Sequence, residues 1–127
     1  MTSGGLPREA RWLVQRQVHS VGELDLLVLL HSDRARSWSV QEVCETLWCP
    51  DTWAEIQLEA LRTGGLAEVQ DGRWRFAPAE PALERATDAL ADAYRTRKAD
   101  VVRLVFARGD DLDAFADAFR LRRDEED

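Results

Sequence analysis

The sequence predicts a mainly α protein with one small β-hairpin and long C-terminal helices. Three observations carry that expectation. Ser20 with Glu23, and Ser39 with Glu42, have the Ser-x-x-Glu spacing of a capping box, in which each side chain satisfies a free backbone N–H at a helix start. Asp71-Gly72 lies between two short apolar-bearing runs, the signature of a tight hairpin. From Leu83 to Val105 apolar residues return at helical spacing.

Residues 1–20 read as an N-terminal extension with helical spacing, since Leu6, Ala10, Leu13, Val14 and Val18 fall on one side. A helix follows over 21–31, with Leu24, Leu27, Val28 and Leu30 as its core candidates. Ser32 to Ser37 is a polar, basic loop, and Trp38 supplies one or two residues of strand. The helix opened by Ser39 contains Val40, Val43, Cys44 and Leu47. Trp48-Cys49-Pro50-Asp51 interrupts it, because proline suits a first helical position and an aspartate there suits the helix dipole. The next helix spans 51–63 and is stopped by Gly64 and Gly65, which accept left-handed geometry. Leu66–Val69 and Trp74–Phe76 form the hairpin. Pro78 and Pro81 then open a long helix over 79–108, its stripe interrupted once at Arg97 and Lys98. Residues 109–127 make a short amphipathic helix, bearing Leu112, Phe115 and Phe119, and an acidic tail.

Composition narrows the function classes. The chain has 127 residues and a formal charge of −7, which argues against unspecific affinity for nucleic acid but leaves room for a local basic face. Much of the excess is terminal: residues 109–127 hold eight acids against three arginines. The longest fully apolar run, Leu26 to Leu30, is far below the ~18–20 residues of a membrane helix. The first seven residues lack a basic-then-apolar signal pattern, so a cytoplasmic location is expected. Cys44 and Cys49 are too few for a disulfide scaffold and are expected as thiols.

The order helix, helix, helix, hairpin over 21–78 resembles the winged helix-turn-helix superfamily, of bacterial transcription-regulator type. The most specific part is Ala54, Leu58, Leu61, Gly65 and Leu66, followed by the hairpin that ends Trp74-Arg75-Phe76. The resemblance implies that helix 51–63 is a recognition helix and that 66–77 is the wing. It covers a little under half of the chain and is a likeness of fold, which does not by itself establish DNA binding.

Which side chains face outward decides between partners. At about 100° per residue, Ala54, Leu58, Leu61 and Gly65 share a narrow arc that must face the core. The opposite arc carries Thr52, Glu55, Ile56, Glu59 and Thr63, with Trp53 at its edge and no lysine or arginine. An apolar residue ringed by acids suits a protein surface better than a phosphate backbone. Thr52, Trp53, Glu55, Ile56 and Glu59 are therefore the expected partner face of a protein-interaction adaptor, unless residues 1–20 or the C-terminal helices cover them. In the alternative, a sequence-specific regulator of duplex DNA, Arg34, Arg36, Arg62, Arg73 and Arg75 are the phosphate contacts.

Winged-helix regulators often pair through an appended helix. The resemblance implies a homodimer through Leu83, Leu90, Tyr94, Val101, Leu104 and Val105, the other reading being that this stripe folds back on its own core. Leu112, Phe115 and Phe119 are the expected docking helix, in cis or on a partner. No glycine-rich phosphate loop, His-Glu-x-x-His or Cys-x-x-Cys occurs. A metal site from Cys44, Cys49 and His31 has an unusual ligand spacing, and small buried hydrophobes are the expected alternative reading of the cysteines. No cofactor, metal or enzymatic activity is expected.

Overall fold

A computed structural model describes residues 6–107. Its helices are α1 (Arg8–Gln17), α2 (Val21–Ser32), α3 (Val40–Leu47), α4 (Asp51–Thr63), α5 (Pro81–Thr96) and α6 (98–107). Its strands are β1 (Trp38–Ser39), β2 (Ala67–Gln70) and β3 (Arg73–Phe76), antiparallel in the order β1-β3-β2. The protein is thus mainly helical with a small three-stranded sheet. Among the described residues no helix is long and apolar enough to cross a membrane.

Local chemistry explains the helix starts. Ser39 closes a full capping box: its hydroxyl accepts the Glu42 N–H at 3.1 Å, and the Glu42 carboxylate accepts the Ser39 N–H at 3.0 Å. Ser20 makes only half of one. Its hydroxyl accepts the Glu23 N–H at 3.1 Å, but the Glu23 carboxylate takes the His19 N–H instead, at 2.9 Å. Pro50 is the residue before α4 rather than its first helical residue.

The hairpin turns through Asp71 and Gly72, at φ 53° and 75°, the pair of left-handed residues that a two-residue turn requires to match strand twist. A Cβ on Gly72 would meet nothing within 4 Å, so the glycine is there for its backbone and not for space. Register pairs Ala67 with Phe76 and Val69 with Trp74, and β1 adds Trp38 beside Trp74 on the other edge of β3.

One core holds these elements together. Helix α2 touches α3, α4, α5 and β3, and buries Leu24, Leu26, Leu27 and Leu30 completely. Fully burying a leucine contributes about 1.5–3 kcal/mol before entropy is counted. Residues 6–18 are not an appendage: Leu6, Ala10, Leu13, Val14 and Val18 are buried, and α1 packs along α5.

That packing corrects two expectations. The stripe assigned to dimerisation is internal, with Leu83, Leu90, Tyr94, Val101 and Val105 buried within one chain and Leu104 half-buried. Along α5 the cover is α1, which packs against it. The helix expected over 79–108 is two helices, because Arg97 leaves helical geometry (φ −140°, ψ 53°) at the gap in the stripe. The expected docking residues Leu112, Phe115 and Phe119 lie outside the described residues.

Candidate functional site

Helix α4 presents two unlike sides. Ala54, Leu58 and Leu61 are fully buried. Thr52, Glu55, Ile56, Glu59 and Thr63 are exposed, and Ile56 keeps 65% of its surface in solvent. Neither α1 nor α5 covers this strip. Trp53 is half-buried against the first turn of α2, where a Cβ on Gly22 would stand 2.9 Å from its ring, so the close seat depends on glycine.

The turn into α4 adds a residue that the outward-arc argument missed. Trp48 is left-handed (φ 58°, ψ 52°) and 92% exposed. For a bulky residue that backbone is an outlier costing roughly 1–2 kcal/mol. A signal for it was present: Pro50 disfavours helical geometry at Cys49, and no glycine or asparagine lies between Leu47 and Pro50 to take the left-handed place. Trp48 and Trp53, with Leu47 and Pro50, line a shallow cleft of about 250 Å³ that also takes in Asp25. Ile56 lies one turn along α4 from Trp53, so an apolar track runs from the cleft onto the exposed strip.

Acids flank this track. Glu45, Asp51 and Glu55 are exposed, and Glu55 has no partner among the described residues. Glu59 is held by Arg62, whose Nε donates to both carboxylate oxygens at 3.0 and 3.1 Å. That bond lowers the Glu59 pKa and raises that of Arg62. Cys44 and Cys49 sit under the same turn, half-buried and free.

The five arginines considered for phosphate are each engaged by carboxylate. Arg34 meets Glu84 at 2.7 Å and lies 5.0 Å from the Phe76 ring. Arg36 stacks 3.5 Å over Trp38 and stands 3.7 Å from Glu42. Arg73 donates to Glu42 at 2.9 Å and to the Ser37 hydroxyl and carbonyl at 3.0 and 2.8 Å. Arg75 donates to Glu68 at 2.5 Å, and Arg62 to Glu59. The Ser39 N–H, followed by Arg73 and Arg36, holds the Glu42 carboxyl below its usual range. Arg36 and Arg73 thus meet at Glu42, Arg73 and Arg75 line one shallow pocket beside the sheet, Arg34 turns to α5, and Arg62 stays on α4.

A groove of about 760 Å³ runs between α2 and α5. Its His31 Nε2 lies 2.7 Å from an Asp88 oxygen, with the ring edge-on to Phe76. Ser32, also in its wall, donates its hydroxyl to the Leu29 carbonyl at 2.7 Å and not to His31. The triad weighed for metal is not assembled, since His31 is turned to Asp88. Among the described residues no three His, Cys, Asp or Glu side chains are grouped to hold a metal ion. No family model, curated protein or solved structure matches this chain.

Proposed function

We propose that this chain is a winged helix-turn-helix protein acting as a cytoplasmic protein-interaction adaptor, with the outer side of α4 and Trp48 as its contact face. The order α2, β1, α3, α4, β2, β3 supports the winged-helix reading. The observation that carries the adaptor reading is Trp48, an indole exposed by 92% on a left-handed residue beside the exposed Ile56 strip. A strained, solvated tryptophan adds nothing to the core, whereas tryptophan is the side chain most enriched at binding hot spots.

Charge selects the partner. Asp25 lines the cleft, Asp51 and Glu55 are exposed on the same helix as Trp53 and Ile56, and the one arginine of α4 is tied to Glu59. The complement is a segment with an apolar anchor between lysines or arginines, steered by opposite charge. A DNA backbone fits poorly, because each candidate arginine would exchange a carboxylate in its own chain for phosphate.

The test compares wild type with Ile56→Asp and Trp48→Ala in quantitative capture, beside a salt titration on random duplex. A basic partner retained by wild type and lost at least about tenfold, or ~1.4 kcal/mol, in both variants supports the adaptor. Undiminished capture by Ile56→Asp removes α4 from the interface. Duplex binding that falls steeply with salt, with a slope flattened by Arg73→Ala, establishes the DNA-binding alternative instead.

A further inference from the structure

The end of α3 brings two thiols together by backbone geometry. The Cys44 carbonyl accepts two N–H groups, from Trp48 at 2.8 Å and from Cys49 at 3.3 Å. Trp48 between them is left-handed. In a helix cap of this kind the residue after the left-handed one folds back on the residue five before it, and a contact between those two side chains frequently accompanies it. Here the two positions are Cys44 and Cys49. Asp51 and Cys49 both stand close enough to the Cys44 thiol to raise its pKa. Both cysteines are free and half-buried, and Cys49 lines the cleft beside Trp48 and Trp53.

We propose that Cys44 and Cys49 are a reversible dithiol–disulfide site, oxidised by a low-molecular-weight disulfide that enters at Cys49. The proposal stands independently of the adaptor reading. The shared-carbonyl cap brings the two backbones close together, which a bridge between them requires.

The two thiols have different parts. Burial first, then Asp51 and Cys49, push the Cys44 thiol up to about 12, so it keeps its proton at neutral pH. Cys49 lines the open cleft beside Trp48 and Trp53, where a small disulfide can reach it, and attacks first. Its thiolate bonds to one sulfur of the small disulfide and expels the other as a thiolate, leaving a mixed disulfide on Cys49. Cys44 then loses its proton to water and attacks the Cys49 sulfur, expelling the second small thiolate. The leaving thiolates are protonated. One small disulfide is reduced to two thiols, and two protein thiols are oxidised to one bond. The ring so closed contains Trp48, so oxidation pins the left-handed turn that holds its indole in solvent.

The test uses the full reduced chain in glutathione buffers of rising disulfide ratio, quenched in acid, alkylated and read by intact mass and peptide mapping. The expected product has lost two hydrogens, carries no glutathione and yields a cross-linked Cys44–Cys49 peptide. Cys44→Ser is expected to stop at a glutathione adduct on Cys49. Cys49→Ser is expected to react at Cys44 at least about tenfold more slowly, from its small thiolate fraction. Asp51→Asn is expected to speed closure of the bridge, because it removes a charge that raises the Cys44 pKa, and to leave formation of the adduct unchanged. A wild type that stops at the adduct, that remains doubly alkylated at the most oxidising ratio, or that forms only bridges between chains overturns the proposal.

Discussion

The Tyr94 hydroxyl on α5 donates to the Asp25 carboxylate on α2 at 2.6 Å, joining residues 69 apart in sequence. Burial first, then this bond, push the phenol from its ordinary 10 up to about 12. The folded state thus holds the phenolic proton more tightly than the unfolded chain does. The resulting stability is present in full below pH 10 and is lost as pH rises toward 12. Urea unfolding is expected to show this alkaline loss. Tyr94→Phe is expected to cost about 1–2 kcal/mol at neutral pH and to flatten the alkaline slope. The slope that remains belongs to Cys44, raised in the same direction. Parallel pH curves for wild type and Tyr94→Phe refute the assignment.

At the acid end the relevant group is Glu42. Its lowered pKa means that its contribution is present above the ordinary carboxylate range and lost as pH falls through the folded value. Glu42→Gln is expected to remove part of the acid-side loss in thermal melts from neutral pH downward. Ser39→Ala removes the hydroxyl half of the same cap and is expected to cost about 1 kcal/mol at pH 7.

Gln17, buried at the end of α1, donates its side-chain amide to the Ala60 carbonyl on α4 at 3.2 Å. A Cβ on Gly64 would fall 2.0 Å from the Gln17 Oε1. Gly64 has an ordinary φ of −78°, so alanine there meets no backbone strain, only this side chain. Gly64→Ala is expected to destabilise by about 1–3 kcal/mol through the displaced, unpaired amide. In the background of Gln17→Ala the same change is expected to cost almost nothing, which a double-mutant cycle reads directly.

Trp48→Gly relieves a left-handed tryptophan whose ring touches little. It is expected to stabilise the fold by about 0.5–1 kcal/mol in chemical denaturation. Ile56→Asp is expected to stay within about 0.5 kcal/mol of wild type, as an exposed substitution does. A large loss in either variant shows that the side chain packs in solution.

Local signals were legible where the cause lies within a few residues. Ser39 and Glu42 marked α3, Asp71 and Gly72 marked the turn, and Ala54, Leu58 and Leu61 marked the buried side of α4, so the outward place of Glu55 and Ile56 came with them. Long-range partners were not legible. Periodicity showed that Leu83, Leu90 and Tyr94 had to be covered, but not that Ala10, Leu13 and Val14 of the same chain do it. Arginines counted as free cations were engaged by Glu42, Glu68 and Glu84, which are distant in sequence or across a strand pair. Trp48 escaped notice because an exposed aromatic leaves no mark in an apolar pattern, and the trace it did leave was a missing glycine before Pro50.

The pairing of α1 with α5 also sets an order of events in biosynthesis. Arg8 leaves the ribosome roughly seventy residues ahead of Pro81, and until α5 emerges the greasy ridge of α1 has no permanent neighbour. A transcript truncated before α5 yields a nascent chain with that ridge uncovered, a ready ligand for chaperones and a seed for aggregation. The clasp between α1 and α5 makes emergence of α5 the event that lets α1 bury its apolar side against it.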